Sequence, residues 1–295
     1  MNTTSRHTPD ASRSEGDVRI ANLSGDLVFP PGGPRRRSRM RRVRPSETVR
    51  FSAEAGLRLP SLRLRRSDAP GPPDHANWIA YAGWLNTTGN PVSQFVSTWT
   101  VPPAPDDQAS QLLYLFNGMQ TADGQIIVQP VLQWGDHGAD DDGVNRSGPF
   151  WTAASWIVGG PYGSAMHSHH VPVSPGDILV GAINLTDQSP NGFVYSCEFQ
   201  GLPDTQFSTD AMAELVWCVE TLEAYELQGN QRPPYDLNAA SEYPTGSVTF
   251  TDIAITTSAP GPSGQWSKHL LVSQNGENIS ISTNSTSAGE IVITF

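Results

Sequence analysis

Past residue 76 this sequence nearly runs out of positive charge. Residues 77–295 hold only Arg146, Arg232 and Lys268 against 21 acids, a net of −18. Such a body has little with which to neutralise a phosphate backbone, which argues against specific nucleic-acid recognition. Cysteine is scarce: Cys197 and Cys218 are the only two, too few for a disulfide framework. They can form one bond if their strands are neighbours, or serve as two small buried apolar side chains. No apolar run reaches the roughly 18 residues that a membrane-spanning helix needs, so no membrane span is expected. The opening stretch MNTTSRHTPDASRSEGD is polar throughout and has none of the apolar character of a secretory signal peptide. A Ser-His-Asp motif, a phosphate loop and a metalloprotease helix motif are all missing.

What is present divides the 295 residues in two. Residues 1–76 carry 15 Arg against 8 acids, a net of +7, and PPGGPRRRSRMRRVRP is too dense in Pro, Gly and Arg to offset its chain entropy by burial. This segment is expected to be a largely disordered basic arm, closed by the linker DAPGPPDH. A domain at residues 77–295 follows, where Trp and β-branched residues appear. FVSTWTV, QLLYLF, IIVQPVLQW, FWTAASWIV, ILVGAINL, FVYSCEF, LVWCVETL, SVTFTDIAI, HLLVS, NISIST and EIVITF read as short strands. PPAPDD, ADGQ, GADDDG, SPGD, SPNG and SAPGPSG separate several of them with turn residues. The pattern predicts an all-β sandwich or barrel. DAMAELVWCVETLEAYELQG can also be read as one helix, although its Trp, Val, Cys and Thr favour strand up to about Leu222.

A series of short motifs runs through the domain in order: Asn77–Trp78, STWTVPPAP from Ser97, LFNGMQ ending at Gln120, VLQWG around Gln133, WTAASWIV containing Trp156, VSPGDIL from Val173, WCVE ending at Glu220, and GSVTFT from Gly246. Together, from Asn77 to Ile255, they resemble the glutamic peptidases, the eqolisin group typified by scytalidoglutamic peptidase. The resemblance implies a concanavalin-like sandwich of two antiparallel sheets with an extended peptide on the concave face. It implies an acid-acting endopeptidase with Gln133 and Glu220 as the catalytic pair and no cofactor or metal. Trp78, Phe116, Gln120 and Trp156 match positions expected to line the substrate cleft. Two positions depart from the family pattern: Gln120 stands where an Asp is usual, and Ser155 where an acidic residue precedes the Trp. The family is secreted and made as zymogens, so the basic arm reads as a propeptide that binds the acidic body.

The implied chemistry suits these residue types. A Glu carboxylate can take a proton from water and return it to a leaving amine, while a Gln amide N–H can stabilise the developing oxyanion. On a strand Glu220 shares a face with Cys218 and Val216, a costly place for a carboxylate unless it is functional or paired. Other readings stand beside this one. Gln133 can be an edge residue bonding backbone, and Glu220 can belong to a solvated acidic face with Glu214, Glu223 and Glu226. The arm can be a tail that binds nucleic acid or anionic lipid non-specifically. The sandwich can be a carbohydrate- or peptide-binding module using Trp134, Trp151 and Trp156 as stacking surfaces, or a polysaccharide hydrolase using Glu198 and Glu220. A second constellation is HSHH. On a strand His167 and His169 point the same way at a chelating distance, and His137 or Asp136 can supply a third ligand, with His170 adjacent. Five Asn-x-Ser/Thr sites in the body, at Asn86, Asn145, Asn184, Asn278 and Asn284, matter only in a secretory pathway.

Overall fold

In this chain β-branched and aromatic runs become strands and the Gly-, Pro- and Asp-rich separators become turns. A computed structural model describes residues 41–42, 77–108, 111–137, 146–159, 165–226, 237–259, 262, 264–271 and 273–295. Apart from 41–42, the expected basic arm and linker lie outside the described residues. In chain order the strands are β1 (Arg41–Arg42), β2 (Trp78–Leu85), β3 (Val92–Thr100), β4 (Gln111–Thr121), β5 (Ile126–Gly135), β6 (Gly148–Gly159), β7 (Met166–His167) and β8 (Val171–Pro172). There follow β9 (Ile178–Ser189), β10 (Gly192–Phe199), β11 (Leu202–Ser208), β12 (Leu215–Glu226), β13 (Ser247–Thr257), β14 (Ser267–Leu270), β15 (Asn278–Thr283) and β16 (Gly289–Thr294). A single 3-10 turn at Ala240–Glu242 is the only helical element among the described residues. No helix there is long and apolar enough to cross a membrane.

The strands form two antiparallel sheets. One has nine strands in the order β1-β7-β6-β5-β4-β12-β2-β14, with β8 also paired to β6; the other has seven, in the order β11-β10-β9-β3-β13-β16-β15. They pack as a β-sandwich, with β5 and β6 of the first sheet against β9 and β10 of the second. Strand alternation then gives the nine-stranded sheet an inner and an outer face. Inner-face residues of β4, β5 and β12, such as Leu113, Leu132, Trp134, Cys218 and Leu222, share one apolar cluster with Trp99, Ile183, Tyr195, Phe199 and Phe250 of the other sheet. The outer face has a cluster of its own, built from Trp78, Tyr81, Leu112, Tyr114, Phe116, Ile127, Val131, Trp156 and Val219. Each such large side chain contributes about 1.5–3 kcal/mol by leaving water.

All eleven expected strand segments overlap strands of the sandwich, and the helix alternative for residues 210–229 is replaced by β12, which runs four residues past Leu222 to Glu226. Two long strands carried too little pattern to be expected. In β2, WIAYAGWL, seven of eight residues are buried, so polar and apolar positions do not alternate. In β11, LPDTQFS, the Pro and Asp hide the strand. Cys197 and Cys218 are free and buried, on inner faces of opposite sheets, where they fill space as small apolar groups.

Candidate functional site

The register across β5, β4 and β12 decides which polar groups can meet. Gln133 pairs with Tyr114, and Tyr114 pairs with Glu223. The three residues thus form one row across adjacent strands. Gln133 lies between Leu132 and Trp134, which face inward, so its own side chain is on the outer face. Tyr114 belongs to the outer cluster, and Glu223 alternates with the inward Leu222 and Ala224. Around the row stand Trp78, 5.0 Å from Tyr81 and 6.0 Å from Phe116 between ring centroids, and Trp156, 6.2 Å from Tyr114.

Glu220 is not in this row. It pairs with Asn117, and Asn117 Nδ2 donates to the carbonyl of Gly181 in the opposite sheet at 3.3 Å. The Ser97 hydroxyl, also from the opposite sheet, faces the Glu220 carboxyl and favours its ionised form slightly. Neither carboxyl oxygen has a hydrogen bond of normal geometry. Burial dominates and holds the carboxyl well above its usual range. The expected pair is therefore separated by the sheet itself: Gln133 points outward and Glu220 points into the layer between sheets. The apolar face that Glu220 shares with Cys218 is the sandwich core, and there burial holds the carboxyl toward its neutral form.

Glu223 is the carboxyl on the outer face. Burial pushes it up to about 7, against hydrogen bonds from Tyr225 and Trp78 that favour the charged form. The Tyr225 hydroxyl donates to Glu223 Oε1. Tyr114, between Glu223 and Gln133, is held well above the usual phenol range by its own burial and then by the Glu223 charge, and its hydroxyl has no hydrogen-bond partner. Gln133 Nε2 donates to the Gly135 carbonyl at 3.1 Å and lies 3.0 Å from His137 Nδ1. Gly135 makes that turn possible: its φ is +97°, and a Cβ there would sit 2.1 Å from the Gln111 carbonyl oxygen.

The cleft positions expected from sequence divide less sharply. Trp78, Phe116 and Trp156 share the outer cluster with Tyr114. Gln120 is fully buried on the same strand but outside the row, toward the other end of β4, where it pairs with Ile127 and Trp217. Trp134 and Trp151 face the inner core, 5.3 Å apart, so they cannot act as stacking platforms for a bound sugar. Glu198 lies between the inward Cys197 and Phe199 and so faces away from the core on the seven-stranded sheet; it cannot act with Glu220 as a glycosidase pair. His167 gathers with His170 and His137, not with His169. The chain leaves the strand after His167, and the two-residue alternation that would have matched His167 to His169 ends there.

Sequence reading passed over Glu223 because the WCVE motif drew attention to Glu220. The signal that separates them is parity: Cys218, Leu222 and Ala224 make an apolar row with Glu220, while Thr221, Glu223 and Tyr225 make a polar one.

No family model and no curated relative matches the sequence. Solved glutamic peptidases are similar to it in structure. Scytalido-glutamic peptidase bound to a peptide-based transition-state analogue is 15% identical, with a TM-score of 0.47 over 74% of this chain and 98% of that one. SCP-B, a member of the eqolisin family in complex with the tripeptide Ala-Ile-His, is 14% identical, with a TM-score of 0.45 over the same shares.

Proposed function

We propose that this chain is a peptide-bond hydrolase of the glutamic type, working on the outer face of the nine-stranded sheet with Glu223 as its acid–base group. The observation that carries the reading is the row Gln133–Tyr114–Glu223: an amide, a phenol and a carboxyl in register on one face, inside an aromatic wall. A carboxyl poised near 7 can be both base and acid close to neutral pH. Glu223 removes a proton from water as the water attacks the peptide carbonyl, then gives that proton to the leaving amine. Gln133 donates its amide N–H to the oxygen that becomes negative, and the Tyr114 hydroxyl is a second donor for the same oxygen. Gln133 and Glu223 are two strand spacings apart, about 10 Å between backbones, a span that a peptide group and one water can bridge.

An extended polypeptide is the substrate that suits a sheet face lined by Trp78, Phe116 and Trp156. These side chains are buried. The basic segment ahead of residue 77 carries net +7 beside a body of net −18, and opposite charges at neutral pH attract. Its described part, β1, pairs antiparallel with β7, Arg41 opposite His167 and Arg42 opposite Met166. We read that segment as a propeptide. Burial of Glu223 also moves the working range upward, from the strongly acid one that the family resemblance implies toward neutral.

The test is hydrolysis of denatured casein and of a fluorogenic peptide from about pH 3 to about pH 8, with N-terminal sequencing of the chain after incubation. New peptide ends from the substrate, lost in Glu223→Gln with the fold intact, are expected. Absence of hydrolysis across that range, or full activity in Glu223→Gln, overturns the proposal.

A further inference from the structure

Three imidazoles gather at the end of this row, and the hydrolytic proposal uses none of them. His137 follows β5, His167 ends β7, and His170 precedes β8. The first two are fully buried and the third is 6% exposed. One ring nitrogen from each lies within 4.8 Å of the other two. The His137 and His170 rings stack at 4.7 Å, and His167 sits 4.6 Å from His170 and 5.3 Å from His137. The Trp156 ring, 4.6 Å from His167, closes one side.

Each ring is held from outside the cluster through Nδ1. His167 Nδ1 lies 2.5 Å from the Ser168 carbonyl oxygen. A carbonyl can only accept, so this nitrogen carries the proton and Nε2 holds the lone pair. His170 Nδ1 is 3.1 Å from the Thr152 hydroxyl, and His137 Nδ1 is 3.0 Å from the Gln133 amide. A hydroxyl can accept, so His170 can carry its proton on Nδ1, whereas the Gln133 atom facing His137 is the Nε2 that also donates to the Gly135 carbonyl, so His137 Nδ1 accepts there. Outer hydrogen bonds of this kind fix the tautomer and direction of histidines that ligate metals.

We propose that His137, His167 and His170 bind one first-row divalent transition-metal ion, of the zinc class, through one ring nitrogen each. Three neutral nitrogen donors suit zinc, cobalt, nickel or copper, whereas magnesium and calcium require oxygen ligands. Metal–nitrogen bonds of about 2.0–2.1 Å in tetrahedral geometry bring the nitrogens to about 3.4 Å from one another. The cluster reaches that by small side-chain rotations, because His137 and His170 lie in loop segments next to strand ends. Three protein ligands leave a fourth position for water or an anion. Gln133 becomes the outer partner of one ligand, and Thr152 that of another.

The experiment uses the full chain, stripped of metal and titrated with zinc chloride by calorimetry near pH 7.5. A parallel titration with cobalt chloride is read by visible absorption. One equivalent is expected, with the intense cobalt band of a four-coordinate site. His137→Ala, His167→Ala and His170→Ala should each weaken zinc by about 100-fold or more, while His169→Ala changes it little. X-ray absorption of the zinc-loaded wild-type protein should show three imidazoles around the metal. That measurement decides the matter even if an alanine variant fails to fold. Lack of saturable binding, binding that survives loss of any of the three histidines, or a shell of oxygens without imidazole overturns the site.

Discussion

The two faces of the nine-stranded sheet each bury a glutamate three residues from the other on β12, and they do opposite things with it. On the inner face Glu220 meets Ser97 and Asn117 from within a sandwich core. On the outer face Glu223 meets Tyr225, Trp78 and Tyr114. Both carboxyls are raised by burial, so a perturbed carboxyl does not by itself mark the reacting group. What separates them is company. Glu223 lies in register with an amide and an unsatisfied phenol on a face with its own aromatic wall, whereas Glu220 is enclosed between sheets where no substrate can lie.

The largest effect should come from exchanging one carboxyl at a time. Glu223→Gln should lower kcat/KM for peptide hydrolysis by about 10²–10⁴-fold, the usual worth of an acid–base group. Glu220→Gln should leave it within about threefold, since the replaced carboxyl is enclosed between the sheets and burial favours its neutral form. The reverse ranking, measured as initial rates on folded protein, breaks the comparison and returns the chemistry to the inner face. Gln133→Ala comes next, with an expected loss of about 10²–10³-fold, mostly in kcat, if its amide stabilises the oxyanion. A change confined to KM would assign it to substrate positioning alone.

Much of this contrast was legible in the sequence, and the missing part has a physical cause. Alternating Val, Ile, Thr and Trp marked most strands, and the motif around Gln133 led to a residue of the outer row. Direction was harder. A short motif such as WCVE identifies a residue without saying which way its strand faces. The ladder between β12 and β4 is irregular from Leu215 to Trp217, so Val216, used to judge the face of Glu220, is out of step. β2 escaped notice because burial on both sides removes the alternation that reveals a strand. His169 was matched to His167 in place of His170 because the alternation argument holds only inside strands, and the chain between His167 and Val171 is not one.

A smaller effect tests the inner face by itself. Gly181 on β9 lies against Asn117 and Pro130 of the nine-stranded sheet, and a Cβ there would come within 2.3 Å of Asn117 Oδ1 and 2.8 Å of Pro130 Cγ. Its backbone is ordinary, so space and not conformation demands glycine. Gly181→Ala should cost about 1–3 kcal/mol of stability in urea unfolding. Activity per folded molecule should stay near wild type, because the strain falls on the face that does no chemistry. Activity falling in step with stability would mean that the two faces are coupled through β4.

The smallest effect separates the two carboxyls by pH. Glu223 has a folded value of about 7 against an ordinary 4.5, and Glu220 is raised well above the same ordinary value. In both cases the folded chain holds the proton more tightly than the unfolded chain does. Their contribution to stability is therefore complete below the ordinary carboxyl range and is lost as pH rises, through about 7 for Glu223. Each group can add at most about 1.4 kcal/mol per pH unit to this slope. Urea midpoints should fall between about pH 5 and about pH 7. Glu223→Gln should flatten the curve up to neutrality, and Glu220→Gln should lessen the decline above the ordinary carboxyl range. If neither substitution alters the slope, both carboxyls are open to water, and burial would no longer explain why both are raised.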